Sequence, residues 1–291
     1  MSNPELLTPD DLDGAASRGG VTLGEEAVSL FALVDGAAAF LGVDDEGDPF
    51  IPPIVHRAGP VGALISVVPL DDYSGVDAAD RLSDLAWLAP RTMRHAAVLR
   101  WAMQYSPVYP APFATLFANL GSLTTFMLLH GQTLSTFFGA VAGMAEWELK
   151  ASACVDSRPA LETLARDAWS DWAQLTPGTR YLRLSRDRSS LICSRRVQLQ
   201  DISCRLAQQL QPLATSVRQL HFQPLAGAEN GELVGRFALL VSANDASALA
   251  QCVQGLAAEA NDDGIELTLS GPWPPFSFRP DLPGPAPQIA V

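Results

Sequence analysis

The chain has 291 residues, 48% of them hydrophobic, which is enough apolar side chain for one large or two medium cores. Its 19 basic against 32 acidic residues leave a formal charge of −13, which repels a phosphate backbone or an anionic bilayer face and so argues against nucleic acid as a partner. Cys154, Cys193, Cys204 and Cys252 are too far apart to ligate a metal together, and the amino terminus has no basic segment followed by an apolar one, so reduced thiols in a cytoplasmic protein are expected.

Residues 1–27 read as a loose polar, acidic leader. Residues 27–36 form a short apolar run closed by Asp-Gly, the pattern of a buried strand. Residues 44–50 are a loop by composition. Residues 52–68 read as two strands turned at Ala58, Gly59 and Pro60. Pro90 is expected to break the next segment, and residues 91–105 to form a helix on the spacing of Met93, Ala97 and Trp101.

From Trp101 to Ala145 there is no Asp, Glu, Lys or Arg. Gln104, Pro107, Pro110, Asn119, His130, Gly131 and Gln132 interrupt this tract, so no stretch reaches the roughly 20 mainly apolar residues a bilayer needs, and membrane insertion is not expected. Within it Ser122 reads as the N-cap of a helix over residues 123–143, with Phe126, Leu129, Phe137 and Val141 as its apolar surface.

Residues 146–154 alternate cleanly, Trp147, Leu149, Ala151 and Ala153 facing in and Glu146, Glu148, Lys150 and Ser152 facing out. An amphipathic helix follows over residues 157–175, aligned on Leu161, Leu164, Ala168 and Trp172 and ended by Thr176-Pro177-Gly178. A second spans about 180–212, and residues 216–222 and 232–243 read as strands. Asn244 caps a helix with Leu249, Cys252, Val253 and Leu256 on one face, and a strand returns with Ile265, Leu267 and Leu269 inward. The fold class expected is α+β with two domains. Residues 28–145 form the first, and residues 146–278 a modified ferredoxin-like (split βαβ) second; 279–291 are a Pro-rich tail.

Residues 270–278 place Pro272, Pro274 and Pro275 among Trp273, Phe276 and Phe278. Proline lacks an amide donor and holds φ, so the run is a stiff strap that ends the last strand. Its aromatics favour docking, expected on the chain's own second domain with Trp273 as anchor.

Residues 266–278 resemble the terminal signature of the gas vesicle GvpF/GvpL family, a strand followed by Gly-Pro-Trp-Pro-Pro-aromatic. Residues 29–36, 59–69, 108–127 and 143–151 are similar to that family's opening strand, its second and third strands, its proline-phenylalanine segment with the helix behind it, and its glutamate-bearing strand. Ala114 stands where the family pattern usually has glycine. The resemblance implies an accessory or minor structural role in gas vesicle assembly. The implied partners are the hydrophobic shell protein, whose premature aggregation it would limit, and other accessory proteins. It also implies a place in the cytoplasm and at the vesicle.

No catalytic constellation emerges. His56, His95, His130 and His221 lack an accompanying nucleophile motif, His130 has no second histidine at zinc-site spacing, and Glu146 with Glu148 reads as a solvated pair. Neither an enzyme nor a cofactor or metal site is expected. A ferredoxin-like small-ligand-binding regulatory module is the alternative. Interaction candidates are Phe113, Phe117, Phe126 and Phe137 in the uncharged tract and Trp273 and Phe276 in the strap, with self-association through an open sheet edge as a second mode.

Overall fold

The computed structural model describes residues 26–40, 53–74, 77–221, 231–283 and 288–289. Contacts divide the chain into two compact units, Met1–Gly143 with Pro274–Val291, and Met144–Trp273. The leader over 1–25 and the loop expected at 44–50 lie outside the described residues.

In the first unit, β1 (Glu26–Asp35) is apolar without alternation and buried along its whole interior, the mark of a central strand covered on both faces. It pairs antiparallel with β3 (Val61–Pro69), and β3 with β2 (Ile54–Ala58) across the turn expected at Gly59-Pro60. On its other side β1 carries β4 (Val108–Pro110) and β5 (Thr115–Phe117), and the short β10 (Gln288–Ile289) adds to β5. Neighbouring strand residues point to opposite faces. Val55 joins the core cluster under α2 (Leu85–Ala102), while His56 Nε2 meets Thr124 Oγ1 of α3 (Leu120–Val141) at 2.8 Å. The two helices therefore cover opposite faces of the sheet.

Pro90 does not break α2, which is preceded by the short α1 (Ala78–Ser83). Asp84 caps α2 by accepting from Ala86 N at 2.9 Å. Around the proline, Arg91 donates to the Trp87 carbonyl and Thr92 to those of Leu88 and Ala89, so nearby carbonyls gain side-chain donors. The buried face of α2 is His95, Val98, Leu99 and Ala102; Met93 is exposed, so the inward stripe lies round the helix from the one read on Met93. At α3 the cap is Asn119 rather than Ser122. Asn119 Oδ1 accepts from Ser122 N at 2.9 Å while Ser122 Oγ accepts from Asn119 N, a reciprocal capping box.

The second unit is a four-stranded antiparallel sheet in the order β7-β8-β6-β9, built from β6 (Met144–Ala153), β7 (Ser216–Gln219), β8 (Glu232–Ser242) and β9 (Ile265–Trp273). Leu149, Ala151, Phe237, Leu239, Val241 and Ile265 pack against α5 (Pro177–Leu210) and α6 (Ala246–Asp262) through Leu199, Ile202, Leu206, Leu249 and Val253. The α6 cap position is Asp245, and Cys252 is exposed. The helix expected over 157–175 stops at Ala168 (α4, Arg158–Ala168), and Thr176-Pro177 opens α5 as cap and first residue, where proline loses no hydrogen bond. Leu161, Ala165, Trp172, Leu184 and Leu191 close α4 onto α5 as a helical hairpin.

The outward residues of β6 are less solvated than their pattern suggests. Glu146 is buried and Glu148 is half-buried and paired diagonally with Arg236 of β8, which stands opposite Lys150. The strap also departs from expectation. β9 runs through Pro272, and Trp273 stands opposite Glu146. Gly271 makes this possible: at φ +145°, a Cβ there would lie 2.9 Å from the Trp147 ring and 3.0 Å from the Glu146 carbonyl. Pairing stops at the donorless Pro274 and Pro275, and the residues beyond join the first unit rather than the second. There Arg279 Nη1 donates to the Pro110 carbonyl at 2.7 Å, its guanidinium lies over Tyr109 and Phe276, and Tyr109 Oη donates to the Pro280 carbonyl.

Candidate interaction surface

The uncharged tract builds one surface, and it is the outward side of α3. The helix is long enough for roughly six turns, about 33 Å. Its inward residues Leu123, Phe126, Met127, Leu134, Phe137 and Val141 are buried. Its outward side presents Thr125, Leu128, Leu129, Gln132, Thr133 and Thr136, with no ionisable group among them. Leu128 is 57% and Leu129 62% exposed, two adjacent leucines that burial does not explain.

The aromatic candidates fall elsewhere. Phe117, Phe126 and Phe137 fill the core because each lies on an inward position of β5 or α3, and the Phe117 and Phe126 rings meet tilted, 5.4 Å between centroids. Phe113 is half-buried beside Tyr73 and His95. Trp273 is 41% and Phe276 37% exposed, so Trp273 is a partly solvated strand end, not a buried anchor. Leu128 was missed, and Leu129 read as part of the apolar surface, because leucine is apolar wherever it stands on a helix with no charged side to orient it; the neighbouring elements cover Leu123, Met127 and Leu134 and leave Leu128 and Leu129 facing out.

The buried polar groups are committed to structure. His95 Nε2 donates to the Ala111 carbonyl at 3.0 Å, with its ring between Phe31 and Phe113; burial holds its pKa below the ordinary 6.5 and keeps it neutral. Burial lowers the pKa of His56 in the same direction. Arg195 is buried in the second unit, where its guanidinium donates to Gln198 Oε1 and the Asp263 carbonyl, and desolvation lowers its pKa. Among the described residues no group of three His, Cys, Asp or Glu side chains could hold a metal ion, and no helix is long and apolar enough to cross a membrane.

Two further features could receive a partner. β9 pairs with β6 on one side only, leaving its outer edge without a described strand. A cleft of about 620 Å³ opens in the second unit beside α5, lined in part by Arg196, Ser203 and Glu232, and the buried Ser203 Oγ has no hydrogen-bond partner there.

Comparison with known proteins places this architecture. The family model described as gas vesicle synthesis protein GvpL/GvpF matches residues 27–280. The chain is 27% identical over 237 residues to gas vesicle protein L of a Streptomyces species, covering 78% of this chain and 83% of that one. It is 25% identical over 253 residues to gas vesicle protein L1 of Halobacterium salinarum, covering 83% and 84%. To gas vesicle protein L2 of the same organism it is 27% identical over 184 residues, a match that spans 60% of this chain and 64% of the relative. Among solved structures, GvpF from Anabaena sp. PCC7120 superposes with a TM-score of 0.58 at 15% identity, over 87% of this chain and 95% of that one. GvpF from Microcystis aeruginosa gives 0.55 at 15%, over 87% and 98%.

Proposed function

The chain belongs to the gas vesicle synthesis protein GvpL/GvpF family, and from that premise we propose that it is an accessory or minor structural protein of gas vesicle assembly, one that binds the hydrophobic shell protein and limits its aggregation. One observation carries the reading: Leu128 and Leu129 stand exposed and adjacent on a helix face without ionisable groups, in a chain whose net charge is −13. An apolar client needs contact area free of charges that burial would strand, and α3 offers it. The surrounding net charge keeps the loaded protein soluble. The role needs no cofactor, metal or catalytic residue, and it places the protein in the cytoplasm and at the vesicle.

The second unit supports a modified ferredoxin-like reading, since its strand order and its β-α-β-β-α-β sequence match that arrangement, with α4 added as an extra helix before α5. Such a unit can also add a strand from a partner at its open β9 edge.

The test is co-purification. Leu128→Glu with Leu129→Glu changes two solvent-facing positions, so the fold should keep its melting temperature within a few degrees while recovery of shell protein drops at least tenfold. Light scattering by shell protein alone, with the wild-type chain and with the variant should rank in the order high, low, high. Retained binding by a folded variant removes α3 from the reading. A stability increase with a small metabolite, abolished by filling the cleft through Ser203→Leu, would favour a ligand-binding regulatory module instead.

A further inference from the structure

The charge of this protein is unevenly placed. Residues 157–210, which comprise α4 and α5, hold nine of its 19 basic residues, all arginine, against five carboxylates, a surplus of four positive charges. The whole chain carries −13, so everything outside that segment carries −17. Arg158, Arg183, Arg186, Arg188 and Arg196 have carboxylate partners. Arg166 and Arg205 are exposed with no ion pair among the described residues, and Arg180 gives its donors to the carbonyls of Trp172 and Ala173. At the free end of the hairpin Leu182 is 68% exposed beside an exposed Tyr181, and Arg186 follows one turn later on the same side.

The complement of that surface lies in the first unit. Residues 70–84 contain five aspartates and one arginine. Asp71, Asp77 and Asp80 are exposed, and Asp77 and Asp80 make no ion pair among the described residues. Directly after them Leu85, the first residue of α2, is 75% exposed. One unit thus carries an exposed leucine one turn from Arg186 on an arginine-rich hairpin, the other an exposed leucine directly after an aspartate-rich stretch. Neither surface matches itself, since each would meet its own charge.

We propose that the α4–α5 hairpin of one copy docks on the Asp77–Asp80–Leu85 surface of a second copy, giving a head-to-tail association. A contact between two different patches leaves one of each free at the ends, so the same step can repeat and the product is a chain rather than a closed dimer. Carboxylates meeting guanidinium groups supply orientation, and Leu182 and Leu85 supply the apolar area at the centre.

Sedimentation velocity of the full chain tests this with two variants. Leu182→Glu with Arg186→Glu inactivates the hairpin and keeps the acidic surface. Asp77→Lys with Asp80→Lys does the reverse. All four positions face solvent, and melting curves by circular dichroism check that both variants fold. The wild-type chain at about 100 µM and low salt should form a concentration-dependent ladder of species, above the micromolar range of transient contacts. About 1 M salt, with a Debye length near 3 Å, should weaken it at least tenfold. Each variant alone should sediment as a monomer, and the equimolar mixture as a 1:1 dimer that grows no further, since it holds one working hairpin and one working acidic surface. A monomeric wild-type chain overturns the proposal, as does continued association of either folded variant alone or a mixture that stays monomeric.

Discussion

Ala114 holds φ at +63°, a conformation that costs an alanine about 1–2 kcal/mol because its Cβ crowds the following carbonyl. It is the one described non-glycine residue with positive φ, and it sits where a Pro-x-Phe segment resembling a known family pattern would carry glycine. Replacing it by glycine relieves that strain but removes a buried methyl, worth about 0.8 kcal/mol. Ala114→Gly should therefore change stability by less than about 1 kcal/mol in denaturant titrations. Ala151→Gly, equally buried in the middle of β6 and unstrained, should cost about 1–2 kcal/mol. The same reasoning lowers the expected cost of losing Trp273. Being partly exposed, its truncation to alanine should cost about 1 kcal/mol, where Phe237→Ala, at the centre of the second core, should cost about 3–5 kcal/mol. His95 adds a pH dependence whose sign follows from its burial. Its folded pKa lies below 6.5 while the unfolded chain titrates near 6.5, so the unfolded state binds more protons between those values. Stability is fully present above pH 6.5 and declines on acidification by at most about 1.4 kcal/mol per pH unit for this group, until the folded pKa is reached. Urea midpoints between pH 7 and 5 should show a shallower decline in His95→Gln.

At the scale of elements, the second unit was the readable half. β6 alternates strictly, β8 holds the continuous apolar run Phe237–Val241, and α6 repeats at three and four residues, so pattern alone gives the type of each. The first unit hides its signals for physical reasons. β1 is buried on both faces and so has no alternation to read, β4 and β5 are three residues each, and α2 continues through a proline that reads as a breaker. The candidate surface was legible only in part. The absence of charge from 101 to 145 marked the segment, but with no charged side chain on the helix nothing in its sequence told the covered side from the open one, so Leu129 read as apolar surface alongside Phe126, Phe137 and Val141. The capping box of Asn119 and Ser122 carries a measurable consequence. Asn119→Ala leaves Ser122 N without its acceptor and should cost about 1 kcal/mol by thermal denaturation, while Ser122→Ala, which keeps the Asn119 acceptor, should cost less.

For the whole molecule the decisive fact is the path of the chain, which leaves the first unit at Gly143, completes the second and returns at Pro274. The second unit is thus an insertion, and its two ends are adjacent because Glu146 and Trp273 are partners across neighbouring strands, about 5 Å apart. An insertion with adjoining ends can be removed without stretching its host. Joining Gly143 to Pro274 through a short Gly/Ser linker should give a folded first unit with a cooperative melt, and residues 144–273 alone should fold as well, since their core cluster is drawn entirely from within those bounds. The strap then has a role distinct from clasping its own sheet. Its Arg279 holds Pro110 and lies over Tyr109, whose ring packs edge-on against Phe137 of α3, so the last residues brace the element that carries the candidate surface. Removing Pro274–Val291 should lower the melting temperature of the first unit by several degrees, corresponding to about 1–3 kcal/mol for a domain of this size, whereas a 144–291 fragment should melt where the 144–273 fragment does. Arg279→Ala should reproduce part of the loss by removing the charged donor from the Pro110 carbonyl. A first unit indifferent to both changes would assign the brace no energetic weight and leave α3 held by its own core alone.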